Sequence, residues 1–150
     1  MTRVFADSFY FFAILNPKDD AHQRALRFAT ERAEPIVTTA WVLTELADGL
    51  AATSRRAAFA QLVSRPHAEP GNEIMPPDEE LMVRGTALYD ARPDKQWSLT
   101  DCISFIVMED RQIVEALTGD HRRTAKSNSL TQRRKGAKWG EIVELATLSP

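Results

Sequence analysis

The chain has 150 residues, 43% of them hydrophobic, and a formal net charge of -2, which is the size and composition of one domain with a real core. No window reaches the eighteen or so unbroken apolar residues that a membrane span needs, and no plausible cleavage site follows the first apolar stretch, so the expectation is a cytoplasmic protein. The single cysteine, Cys102, excludes an internal disulfide and a Cys-based zinc cluster, and is read as a small buried hydrophobe.

In chain order, Arg3 to Asp7 reads as a short strand, and Ser8 opens the apolar helix "SFYFFAIL", which Asn16-Pro17 stops. Asp19 to Ala33 carries Ala21, Ala25 and Phe28 at helical spacing until Pro35 ends it, and "IVT" gives a second strand. "TAWVLTELADGLAATS" predicts a helix with Trp41, Leu43, Leu46 and Leu50 inward, and "RRAAFAQLVSR" predicts another, ending before a loop from Pro66 to Gly71. Glu73 to Met75 is a third strand, and Asp78 caps the helix "EELMVRGTALYDA". A nearly apolar helix follows from Leu99 to Arg111, and "IVEALT", Ile113 to Thr118, is a fourth strand.

Strands alternating with helices imply an α/β fold whose parallel sheet is covered on both faces, with ligands bound beyond the carboxyl ends of the strands. That edge receives Asp7 and Asp120 from strand ends, and Glu45 and Asp101 from the starts of helices. Clustered carboxylates repel one another unless a cation joins them. An all-oxygen donor set without His or Cys suits Mg2+ or Mn2+, which can orient and activate water against a phosphodiester. Two roles stand open for Asp101, because "SLTD" also fits a capping box at the start of its helix. His22 is expected to face solvent.

Charge is unevenly spread. Arg122, Arg123, Lys126, Arg133, Arg134, Lys135 and Lys138 fall in one acid-free stretch; removing these seven from the 19 Lys and Arg leaves 12 against 21 acids, about -9 elsewhere. A basic arm on an acidic body would grip a nucleic-acid backbone that the body repels.

The segments "VFADSFYFFAILNPKDDAHQRA", "VTTAWVLTELADGL", "WSLTDCISFIVMED" and "IVEALTGDH" resemble, in this order, the motif blocks of PIN-domain ribonucleases, in particular VapC-type toxins of bacterial toxin-antitoxin pairs. The resemblance implies a PIN-like three-layer α/β/α sandwich on a central parallel sheet of four to five strands. It implies a metal-dependent endoribonuclease in which Asp7, Asp101 and Asp120 hold Mg2+ or Mn2+, Glu45 completes the catalytic set and Ser8 helps near the metal. Its partners would be an RNA substrate, a cognate antitoxin and a second copy in a homodimer.

Residues 1–121 would form the nuclease core, with 122–150 an atypical basic segment, either part of the domain or a tail. The family's fifth strand is left unassigned, with "EIVELATL" as its candidate. Arg122, Arg123, Arg133, Arg134 and Lys135 are the candidate RNA contacts. Two other readings stay open: a PIN-like module that binds RNA or protein without cutting, and a nuclease acting on structured DNA.

Overall fold

A computed structural model describes residues 2–118 and 132–133. The first strand, β1 (Val4–Ala6), is buried along its whole length, as is β2 (Ile36–Thr39). Strands so covered suit a parallel sheet with helices on its faces. β1 pairs in parallel with β2, Val4 opposite Ile36, and on its other side with β4 (Glu115–Leu117), Val4 opposite Glu115. β3 (Glu73–Met75) extends the sheet from β2, and the order is β3-β2-β1-β4-β5. The chain therefore leaves β1 toward β2 and returns to its opposite side as β4. That reversal makes the carboxyl end of β1 the switch point of the sheet.

The fifth strand, β5 (Gln132–Arg133), pairs antiparallel with β4, so the expected parallel sheet holds for four strands and carries an antiparallel edge. β5 arises within the basic stretch; the other candidate for this strand, "EIVELATL", lies outside the described residues.

Local chemistry sets the helix boundaries. α1 (Ser8–Leu15) ends at Asn16, because the residue before a proline is pushed out of helical conformation. α2 (His22–Glu31) starts later than the sequence suggests, since the Asp19 carboxylate takes the Ala21 amide at 2.8 Å and holds residues 19–21 in a turn. His22 is not solvent-facing as expected: its Nδ1 lies 2.8 Å from the Ala13 carbonyl. α3 (Ala40–Leu50) is capped by Thr39, whose hydroxyl accepts the Val42 amide at 3.1 Å. It stops short of the expected Ser54, where Thr53 turns back onto the Leu50 carbonyl.

α4 (Ala58–Ala68) continues through Pro66 rather than ending before it. α5 (Glu79–Ala91) begins at the Asp78 cap, whose side chain accepts the Glu80 amide at 2.8 Å. Gly85 of α5 lies so near Ile103 that a Cβ would collide with the isoleucine side chain, and this lets α5 pack closely on α6 (Leu99–Asp110). α6 ends through Gln112 in left-handed conformation (φ 53°), with the Ile113 amide returning to the Met108 carbonyl at 2.8 Å, which turns the chain into β4.

The core joins Val4, Phe5, Ile36 and Val37 of the sheet to Val42 and Leu46 of α3 and Ile103 and Val107 of α6. No helix among the described residues is long and apolar enough to cross a membrane.

Candidate active site

The site begins with Asp7, the residue after β1 and the N-cap of α1. Its Oδ1 accepts the Ser8 amide at 2.7 Å and lies 3.4 Å from the Ser8 hydroxyl, while its Oδ2 accepts the Thr118 hydroxyl at 3.0 Å. The Asp7 amide donates to the Leu117 carbonyl at 3.3 Å, so the ends of β1 and β4 are tied by backbone as well as side chain. Burial pushes the Asp7 carboxyl above its ordinary value, and the charge of Asp101 pushes it further; the donors from Ser8 and Thr118 oppose this.

Asp101 occupies the first turn of α6. Its Oδ2 accepts the Ser98 amide at 2.7 Å, and the Ser98 hydroxyl accepts the Asp101 amide at 3.1 Å, a reciprocal capping box. The cap uses one carboxylate oxygen. Oδ1 accepts no hydrogen bond among the described residues, so capping does not exhaust the side chain.

Glu45 lies on α3, with its side chain open to solvent. Its carboxyl is nevertheless raised, first by partial desolvation, then by the charges of Asp7 and Asp101, with Ser8 acting against the rise. Three acids from separate segments thus lie within one another's field at the carboxyl edge of the sheet. No three His, Cys, Asp or Glu among the described residues already stand close enough to enclose an ion. The donor set fits a hard divalent cation in chemistry: oxygen ligands only, in mutual repulsion that a cation would relieve.

Ser8, expected beside this cluster, is there and is buried. Cys102 is fully buried, and its thiol is raised by that burial and then by Asp101, so it is protonated filler next to the acids. Asp120, Arg122, Arg123, Arg134 and Lys135 lie outside the described residues, and Arg133 is described only as backbone of β5. Thr118 is the site residue that the sequence reading missed. Its signal was present, a hydroxyl closing the strand that precedes Asp120, but its partner lies 111 residues away.

A family model described as PIN domain matches residues 4–127. Among solved structures, the fold is similar to that of Mycobacterium tuberculosis VapC20, a toxin that cleaves the sarcin-ricin loop, at a TM-score of 0.70 and 19% identity over 79% of this chain and 91% of that one. It is also similar to VapBC2 from Rickettsia felis, solved bound to a DNA fragment from their promoter, at a TM-score of 0.56 and 12% identity over 81% of this chain and 90% of that one. No curated protein matches the sequence.

Proposed function

The chain belongs to the PIN-domain family, and from that premise we propose that it is a metal-dependent endoribonuclease, the VapC-type toxin of a toxin-antitoxin pair. The observation that carries the reading is the electrostatic coupling of three carboxylates at the switch point of the sheet, Asp101 raising Asp7, and both raising Glu45. A stability-minded fold gains nothing from gathering like charges there, whereas perturbed acids in one cleft are what a phosphodiester hydrolase needs.

Asp7, Asp101 and Asp120 would hold Mg2+ or Mn2+. When bound, the ion supplies positive charge against the phosphate and makes a water acidic enough to attack at neutral pH. Glu45, open to solvent and with a raised carboxyl, can take a proton from the attacking water. Ser8 and Thr118 hold the Asp7 carboxylate in place through both of its oxygens, so it does not swing when substrate arrives. Ser98 does the same for Asp101 through the capping box. Arg122, Arg123, Arg133, Arg134 and Lys135 would contact the RNA backbone, offsetting an acidic body.

The sarcin-ricin loop cut by VapC20 makes an RNA loop the first defined substrate to try. The partner would be an antitoxin protein and the assembly a homodimer of the toxin. Incubation of the pure protein with total RNA in Mg2+, then in Mn2+, then in EDTA is the decisive experiment. Discrete cleavage products that disappear with EDTA are expected; intact RNA under all three conditions would leave a non-catalytic binding module, and cutting of structured DNA alone would reassign the substrate.

A further inference from the structure

A cavity of about 510 Å³ lies between the end of α5 and the start of α6. Its lining includes Cys102, the residue that follows Asp101, so the pocket and that one acid share a turn of helix. Most of its wall comes from residues 92–97, which run directly into the capping box that fixes Asp101.

The groups on that wall are not those of an ordinary surface loop. Arg92 grips Asp94 with two hydrogen bonds of 2.9 Å, which fixes the plane of its guanidinium 5.1 Å over the Trp97 ring. Lys95 reaches back to 6.0 Å from the same ring, and its side chain is only 19% exposed, unusual for a lysine beside an open cavity. Trp97 is braced from behind by Phe105, edge to face at 5.1 Å, and its indole N–H is buried without an acceptor among the described residues. Tyr89, 51% exposed, adds an aromatic ring to the lining, and Asp90 and Gln96 add an acceptor and an amide.

Planar guanidinium and aromatic surfaces with a few hydrogen-bonding groups form the combination by which proteins hold splayed-out bases of single-stranded RNA. The cavity also falls in the range of volumes that hold small ligands. We infer that this pocket receives one unpaired RNA base next to the scissile phosphate, and so contributes to the choice of cleavage site. The base would lie against Tyr89 and the Arg92 plane, its edge read by Asp90 and Gln96. The inference rests on the nuclease reading for the identity of the ligand, and its test separates the two.

The probes are fluorescein-labelled single-stranded RNA 10-mers of A, of C, of U and of alternating G and U, titrated by anisotropy in EDTA. Wild type should prefer one of the four. Tyr89→Ala and Gln96→Ala, both at exposed positions, should flatten that preference, Tyr89→Ala by about tenfold on the preferred oligomer, while Tyr89→Phe keeps it because stacking needs only the ring. Equal binding of all four by wild type, no binding at all, or an unchanged preference in both alanine variants would overturn the inference. An unchanged preference with an altered elution volume for Tyr89→Ala would assign the face to contact between copies and overturn it equally. Adding Mg2+ or Mn2+ to the same oligomers tests the other reading: base preference lost in Tyr89→Ala but no cutting under any condition sinks the nuclease and leaves the pocket standing.

Discussion

The Thr118 hydroxyl donates to Asp7 Oδ2 at 3.0 Å and fastens the end of β4 to the end of β1, the two strands that flank the switch point of the sheet. This bond favours the ionised form of a carboxyl that burial and Asp101 drive toward protonation. Thr118→Val, which keeps the shape and removes the donor, should lower kcat/KM about tenfold, the scale of one hydrogen bond to a charged group. The acidic limb of its pH–rate profile should move to higher pH, and Thr118→Ser should restore both. An unmoved limb would deny Thr118 this role.

Asp101→Asn should abolish cleavage and leave the fold intact. The amide oxygen can still accept the Ser98 amide, so the capping box survives in part, while the charge that raises Asp7 and Glu45 is gone. In EDTA the variant should melt a few degrees higher than wild type, corresponding to about 1 kcal/mol of relieved repulsion. Full cleavage by this variant would remove Asp101 from the reacting groups.

The raised carboxyls predict how metal-free stability changes with pH. A carboxyl whose folded value lies above its unfolded value binds its proton more tightly when folded, so its stabilising contribution is full below the unfolded value of about 4 and is lost as pH rises through the folded one. Urea unfolding in EDTA should therefore show Asp7→Asn more stable than wild type at pH 7, with the gap closing as pH falls toward 4. Saturating Mn2+ should reverse the order at pH 7, because only wild type gains a ligand by binding. A gap that is constant with pH would mean that Asp7 does not titrate as its burial requires.

Cys102 directly follows Asp101 in α6. It is fully buried, and its raised thiol stays protonated near neutral pH. Cys102→Ala should keep metal-dependent cleavage and lose about 1 kcal/mol on chemical denaturation for the vacated volume. Loss of activity without loss of stability would implicate the thiol.

Gly85→Ala tests the packing that holds α6, and with it Asp101, in place. The added methyl must displace Ile103, so a destabilisation of about 1–3 kcal/mol is expected by denaturant titration. Wild-type stability would show that α5 can shift away freely.

Asp7 and Asp101 were legible because their signals are local. Asp7 is an acid between two apolar runs, and its cap on the Ser8 amide involves the next residue; the Ser98 and Asp101 box spans one helical turn. The boundaries of α1, β3 and α5 were equally readable, each stopped or started by a proline or a capping acid within a few residues. The passage of α4 through Pro66 was not, since a proline past the first turn loses an amide donor and crowds the preceding turn, which locally reads as a stop. Glu45 was legible only in company: alone it is one exposed acid among many, and its significance comes from two charges carried by other segments.

Composition, periodicity and capping patterns by themselves determined the alternation of strands and helices and pointed Asp7, Glu45 and Asp101 toward one edge, because those features act over one to four residues. Only the tertiary structure decided the order β3-β2-β1-β4-β5, the antiparallel edge strand, the clasp of Thr118 on Asp7 and the pocket between α5 and α6. Strand order and burial are set by contacts between segments far apart in the chain. A carboxyl's proton affinity depends on the charges and the desolvation that such contacts bring to it.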